Sequence, residues 1–415
     1  MPSEAIGVKV KPVSKVTSFI GVDRRVPTYA VYLAGEDIEI REFTQFVKQI
    51  TVTDHDYETD TVTITLNDEG RKFVNDPLFA ERIGCAVWLG YQGLPNEFFG
   101  IFFLDKPKFS FPSSGDSSIN LEGRGVDLLL SETEKRRSFT GITDSQIAIE
   151  IAKDNKFDYD VEETEQVYSV VHQVNESDMK FLSERGIKHG FQLYVDSIFE
   201  NNKFRNILHF HKPRYDPLPF EIWYMLDKER SSNISFVVNE DTYKRAQKVI
   251  LTAIDPMNKQ HIYVESQDVE DEISSHDDDL DRTSRDQAEE SELGRPILFF
   301  NEHGHNYSNE ELQKLANQIA LTGVWTVKAT FGCIGIPQIR SKKCLLFKGI
   351  QKFSGLYYIK STTHTISSSG YTMTGSVRRT GTGQLGGNIG LREIAGRFRK
   401  LDAVNLRAAT LTDVT

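Results

Sequence analysis

His209-Phe-His211 and His303-Gly-His305 are the histidine pairs best spaced for chemistry in this chain. On a strand, residues two apart point to one face, so His209 and His211 would present both rings together, which suits a metal ion. Zinc takes four ligands, and even catalytic sites supply three from protein. The H-x-H form found in zinc endopeptidases is completed by a further histidine and a carboxylate, usually as H-x-x-x-D. None of the ten histidines begins such a motif; His172 with Glu176 and His261 with Glu265 come nearest, each with Glu instead. Nothing nearby in sequence completes a ligand set for either pair, so no metal site is expected. His276-Asp-Asp-Asp-Leu-Asp281 is dense in carboxylates but lacks the calcium-loop spacing, and supports only weak cation association. Cys85, Cys333 and Cys344 each sit beside apolar residues or glycine and read as small packing residues rather than nucleophiles. In Gly123-Arg-Gly125, Arg124 is the only basic residue and Glu122 precedes it, which defeats a phosphate-loop reading. G-x-S-x-G, the P-loop and the dinucleotide fingerprint are missing. The sequence therefore predicts no catalytic residues, no metal and no cofactor.

The residues of mixed character cluster in 141–195, where two short capped helices and a strand follow one another. Asn175 to Asp178 resembles a capping box, Met179 and Leu182 form an apolar i, i+3 pair, and Gly186 and Gly190 offer helix exits. Phe191, Leu193 and Val195 alternate as in a strand, and Phe191–Ile198 pairs with Ile207–His211 across a Glu200–Lys203 turn. Such a unit is reminiscent of LysM-like peptidoglycan-binding folds. Sugar platforms need exposed aromatics, whereas packing accounts for most of Phe157, Tyr159, Tyr168, Phe181 and Phe191.

Both flanks of that segment read as β structure. On the N-terminal side Thr61–Leu66 alternates Val62, Ile64 and Leu66 against threonines, and Gly84–Gly90, Phe98–Leu104 and Ile119–Leu121 follow. On the C-terminal side strands are signalled at Ile234–Val238, Ala246–Ala253, Val324–Thr330, Cys344–Phe347, Leu356–Thr363 and Tyr371–Val377. A helix opens at Ser308, with Leu312, Leu315, Ala316, Ile319 and Ala320 on one face. The fold class is α+β, mostly β: two antiparallel β-barrel-like tube domains flanking a small α/β module. The boundaries are an N-terminal arm at 1–34, a first β domain at 35–130, the α/β domain at 131–215 and a second β domain at 216–380.

The net charge of −11 is local. Thirteen acidic residues lie in the 265–292 insertion against Arg282 and Arg285, which accounts for the whole imbalance and leaves no general nucleic-acid field. The insertion lacks aromatics and reads as a solvated loop. No apolar run of membrane-spanning length and no secretory signal is visible, and three cysteines fit a reducing compartment. A Gly-rich joint opens the C-terminal segment 381–415, and Leu391, Ile394, Phe398 and Leu401 then fall on a helical stripe with Arg397 and Arg399 beside it. These six residues are the expected partner-docking set.

Three groups of motifs resemble the late-control-D family of contractile phage tail baseplate hubs and the hub half of the type VI secretion spike. The first runs from Gly84-Cys-Ala-Val-Trp-Leu-Gly90 through Phe99-Gly100-Ile101 to Leu121-Glu-Gly-Arg-Gly-Val-Asp127. The second is Asp144–Phe157 with Gln173-Val-Asn-Glu-Ser-Asp178-Met-Lys-Phe181-Leu182, similar to the family's helix entry. The third comprises Gly335-Ile-Pro337, Gly349, Gly355-Leu-Tyr-Tyr-Ile359, His364, Gly370-Tyr-Thr372 and Arg378. Together they cover most of 35–380 in the family's order. The long acidic insertion departs from the family pattern, and Tyr-Thr-Met stands where a second threonine is commoner.

The resemblance implies a non-enzymatic homotrimer in which two β domains per chain make a six-part ring joining a six-fold tail tube to a three-fold spike. It implies as partners the spike protein, the tube or tube-initiator protein and the baseplate wedge proteins, without nucleic acid. It places the protein in the virion tail baseplate, assembled in the bacterial cytoplasm. The alternative is a hub-associated tail protein that binds or cleaves peptidoglycan.

Overall fold

The computed structural model describes residues 26–34, 40–80, 83–201, 203–224, 234–240, 248–254, 261–266, 297–301, 309–322 and 325–379. Most of the acidic insertion, His303 with His305, and the whole 381–415 segment lie outside the described residues.

The mostly β, α+β reading holds. The first β-rich part contains β1 (Pro27–Ala34), β2 (Arg41–Glu42), β3 (Val47–His55), β4 (Thr61–Asn67), β5 (Ile83–Tyr91), β6 (Glu97–Leu104), β7 (Lys108–Ser110) and β8 (Ser118–Gly125). In β4 the alternation works as read: Val62, Ile64 and Leu66 are buried and the threonines face away. One boundary needs correction. Pro27–Ala34, placed in the arm at 1–34, is a strand paired along its whole length with β5, and its Val31 and Leu33 are buried. The two apolar side chains lie two apart, which is strand periodicity that the nearby proline and glycine obscured.

The α/β part holds α1 (Leu128–Ser131), β9 (Glu134–Thr143), α2 (Asp144–Asp154), β10 (Asp158–Val161), β11 (Val167–Ser177), α3 (Asp178–His189), β12 (Gln192–Glu200) and β13 (Lys203–His211). Strands β9 and β11 pair antiparallel; β10, β13 and β12 form a second sheet in which β10 runs parallel to β13. Thr143 and Gln146 close a reciprocal capping box on α2, and Ile147, Ala148, Ile151 and Ala152 bury its inner face.

The cap of α3 is Ser177, which accepts from the Lys180 amide, and not Asn175 as expected. Strand β11 runs on to Ser177, and Asn175 takes a left-handed φ of 52° at a bulge between Val174 and Glu176. Gly190 ends the helix in the left-handed region, φ 67°. Gly186 stays inside it, where a β-carbon would lie 3.1 Å from the Phe210 ring.

The remaining elements are β14 (Pro217–Trp223), β15 (Ser235–Glu240), β16 (Lys248–Ile254), β17 (His261–Glu265), β18 (Ile297–Asn301), α4 (Asn309–Thr322), β19 (Val327–Ile334), β20 (Cys344–Lys348), β21 (Gly355–Ser367) and β22 (Gly370–Arg379). Strands β17, β16 and β18 make a separate small sheet. Leu312, Leu315 and Ala316 of α4 pack on its Val249, Leu251, Ala253 and Val264. The second β-rich part thus carries a helix-backed sheet of its own, which strand and helix signals taken singly did not group.

The two β-rich parts are one sheet. Fourteen strands join it, along the path β15-β19-β22-β21-β3-β4-β8-β6-β5-β1-β2, with β20 and β14 branching from β21 and β7 from β8. Among the described strands this path does not close on itself. The seam is β3 against β21, in register from Ile50 opposite Ile366 to His55 opposite Ser361. Threonine hydroxyls bridge its outer face, Thr51 to Thr365 at 3.4 Å and Thr53 to Thr363 at 3.2 Å. Ile366 and Tyr371 from the C-terminal part complete the core of the N-terminal one. Among the described residues no helix is long and apolar enough to cross a membrane.

Candidate functional site

Asp54 is the end of an apolar stripe. Ile50, Val52 and Asp54 share the inward face of β3, so strand periodicity alone drives a carboxylate into the core. The segment that links β19 to β20 crosses over from the second β-rich part to meet it. Arg340 donates through Nε to one oxygen of Asp54, and the Ser341 amide reaches the same oxygen at 3.1 Å. Lys342 Nζ lies 3.4 Å from the other oxygen, and the Ser341 hydroxyl donates there too. Arg340 also donates to the Phe99 carbonyl at 3.2 Å and lies 4.5 Å over the Phe99 ring. Burial alone would raise the Asp54 carboxyl, but the charges of Arg340 and Lys342 outweigh it and hold the group well below the usual range. Asp60 has the opposite balance. Its burial and the charge of Asp54 push it up to about 8, although it accepts the His55 amide at 2.9 Å.

Other contacts tie the same joint. Asp56, buried just past the end of β3, pairs with Arg378 at 3.1 Å. His364, buried on β21, meets the Ile339 carbonyl with Nε2 at 2.9 Å. A carbonyl only accepts, so that nitrogen carries the proton and Nδ1 accepts the Tyr371 hydroxyl at 2.8 Å. Burial lowers His364 to about 4, which keeps it neutral. Tyr91 donates to the Gly335 carbonyl at 2.8 Å, and a β-carbon on Gly335 would overlap the Tyr371 ring at 2.1 Å. Gly335, His364, Tyr371 and Arg378, four residues of the third group of resemblance motifs, therefore gather at this seam or beside it.

The α/β part is held by two further contacts. Gln192 donates to the Tyr358 hydroxyl at 2.8 Å, and the β12–β13 hairpin packs Phe199 and Phe204 on Trp88 and Phe98, with ring centroids 5.6–6.1 Å apart. The second resemblance motif is its internal lock. Asp178 is buried and accepts from Lys135, Arg137 and Gln173, at 2.5, 2.6 and 3.0 Å. Burial opposes its charge, but these partners keep its carboxyl low.

Where the three parts meet, a cleft of about 350 Å³ opens, with Asp54, Asp196, His209, Arg214, Arg340 and Lys342 in its wall. The His209–His211 pair lies on one face of β13, as spacing predicted. The structure adds what the sequence did not show: β10 runs parallel beside it and sets Asp160 opposite His209. Asp160 Oδ2 is 3.2 Å from His209 Nδ1 and 3.7 Å from His211 Nε2. Arg214 clasps the same carboxylate at 2.6 and 2.9 Å and holds it low. His209 is pushed down, chiefly by burial. Phe157, Tyr159 and Val161 alternate with Asp158 and Asp160 over too short a run to single out a strand, and the histidine that Asp160 meets is 49 positions away.

The remaining candidates read as structure. Cys85, Cys333 and Cys344 are buried free thiols; burial raises all three, Cys333 and Cys344 to about 12. Gly123-Arg-Gly125 belongs to β8, where Gly123 lies against Leu104 and Val62. Phe157, Phe181 and Phe191 are core residues, while Tyr159 is exposed. The six expected docking residues from Leu391 to Leu401 lie outside the described residues.

This architecture is shared. A family model described as the Alg8 N-terminal domain matches residues 28–368, which takes in every element from β2 to β21 and nearly all of β1. The chain belongs to that family. Among solved structures, the fold is similar to a prophage MuSo2 43 kDa tail protein from Shewanella oneidensis, at 13% identity and a TM-score of 0.61, covering 85% of this chain and 99% of that one. It is similar to a tail protein from Neisseria meningitidis MC58 at 12% identity and a TM-score of 0.59, covering 85% and 97%. A Francisella PdpA-VgrG complex aligns at 9% identity and a TM-score of 0.53, over 88% of this chain and 54% of that one. No curated protein sequence matches. This member of the Alg8 N-terminal domain family thus has the fold shared by those tail proteins and the PdpA-VgrG complex, as its motifs implied.

Proposed function

We propose that this chain is the structural hub of a contractile tail baseplate, a trimeric ring that joins the six-fold tail tube to the three-fold spike. The observation that carries the reading is the seam. Two β-rich parts are fused through β3 and β21 and locked by the charged joint, so each chain offers two β walls in one fixed relation. Three such chains supply six walls by head-to-tail cyclic contacts. The likeness to two tail proteins over nearly their full lengths supports the same role, and a non-enzymatic one. Its partners would be the spike, the tube or its initiator, and the wedge proteins around it, in the virion tail.

Light scattering on purified full-length protein is expected to give the mass of three 47.2 kDa chains. A mass of one chain at high concentration, with no larger species in native particles, overturns the ring.

Within this reading the C-terminal segment docks on the spike or a neighbouring baseplate protein through Leu391, Ile394, Arg397, Phe398, Arg399 and Leu401, which combine an apolar stripe with basic flanks. Deleting 381–415 should leave thermal unfolding of the body unchanged and abolish co-purification with the spike. Retained co-purification refutes the docking role.

A further inference from the structure

We propose that Asp160, His209 and His211 form a binding site for one divalent transition-metal ion of the zinc class. The candidate ligand atoms all lie within 4.8 Å of one another. A tetrahedral zinc with ligands at about 2.0–2.1 Å sets those atoms about 3.4 Å apart. The 3.2 and 3.7 Å separations from Asp160 Oδ2 to the two imidazoles already bracket that edge.

The protonation pattern agrees. His211 Nδ1 lies 2.6 Å from the Lys212 carbonyl, which can only accept, so Nδ1 carries the proton and Nε2 turns a lone pair toward Asp160. Orientation of a ligating histidine by a backbone carbonyl on its other nitrogen is the usual outer arrangement of metal sites. His209 has carboxylates at both nitrogens, Asp160 at Nδ1 and Asp196 at 3.8 Å from Nε2. A neutral imidazole has one N–H to give. Without an ion that hydrogen sits on Nδ1, which donates to Asp160 at 3.2 Å; a bound cation replaces it there, and the hydrogen moves to Nε2, on the side of the Asp196 carboxylate. The Tyr194 ring stacks on His209 at 4.5 Å and fixes its plane. His209 also lines the cleft, and from that side water can reach the ion as a fourth ligand.

Arg214 is the competitor. Its Nη1 occupies Asp160 Oδ2, the oxygen the ion needs, while Nη2 holds Oδ1. The Arg214 side chain is about half exposed, so it can release Oδ2 and keep Oδ1. An ion bound this way staples β10 to β13 at the edge of the cleft.

The test is a cobalt titration of untagged full-length protein, read by visible absorption, followed by displacement with zinc. A single saturable equivalent with the intense bands of tetrahedral cobalt is expected, together with a rise in Tm on adding zinc. Asp160→Asn, at a half-buried position, should weaken binding at least about tenfold, and His211→Gln should do the same. Arg214→Gln should tighten it, an outcome that mere loss of structure does not produce. Two results overturn the proposal: no saturable equivalent in the wild-type protein, or binding unchanged in Asp160→Asn. Because Asp160→Asn keeps its shape and neighbours, its metal-free Tm serves as the check that the fold is intact.

Discussion

Asp54→Ala is expected to cost the fold about 3–5 kcal/mol, the usual penalty for breaking a buried ion pair from one side. The substitution removes more than a contact. Arg340 and Lys342 are drawn into the joint toward that one carboxylate, and without it two cations are left side by side at the wall of the cleft. The Ser341 amide and hydroxyl lose their acceptor as well. Urea unfolding followed by fluorescence measures the effect as a lower midpoint with an unchanged slope. Asp60 supplies partial relief, since its carboxyl is raised in part by the very charge that Asp54 carries. With Asp54 gone, Asp60 should ionise and take over some of the pairing, and adding Asp60→Asn should then cost further stability. A midpoint for Asp54→Ala equal to the wild type would show that the joint does not hold the two β-rich parts together.

The second large effect is on pH. A half-buried acid whose carboxyl is raised to about 8, from about 3.9 in the unfolded chain, binds a proton in the fold where the unfolded chain has released it. Stability from this group is therefore complete below about pH 4 and is lost as pH rises through about 8. Asp54 works in the other direction. Its depressed carboxyl contributes above the unfolded value and loses that contribution as the solution becomes strongly acid. Between pH 5 and 7 the Asp60 contribution falls by up to about 1.4 kcal/mol per pH unit, the limit for one proton. Asp60→Asn should flatten that slope. Subtracting its urea midpoints from those of the wild type across pH 5–9 isolates the group, and parallel profiles would rule the effect out.

The sequence made the strands legible wherever apolar residues alternate with polar ones, as in Thr61–Asn67, and made the helices legible wherever caps and stripes coincide. It left the joint unread for a specific reason. The pattern Ile50, Val52, Asp54, Asp56 continues the inward face of β3, and the step just past its end, with carboxylates, a signal visible in the sequence, but the cations that answer come 286 and 288 positions later for Asp54 and 322 later for Asp56. Asp160 was hidden for a related reason, since its four-residue strand alternates too briefly to stand out and the histidine it meets lies 49 positions away. The helix entry at Gln173–Leu182 was correctly singled out and misread by two residues, because a bulge at Asn175 shifts the cap to Ser177. In that motif the glutamine and aspartate form one buried hydrogen-bonded unit with Arg137, which accounts for the pairing of those two residue types.

The seam between β3 and β21 also sets a timetable for synthesis. Thr53 and its partner Thr363 are separated by 310 positions, so at about 5–20 residues per second the first β-rich part waits roughly 15–60 s for its neighbouring strand. During that interval β3 is an open edge on the ribosome, offering unpaired amides and carbonyls to any passing strand. Its outward face carries Thr51 and Thr53 in place of aliphatic residues, and its core face ends in Asp54, a buried charge that a chance partner would have to neutralise. The residues that lock the finished sheet therefore also guard the unfinished one until its own C-terminal strand arrives.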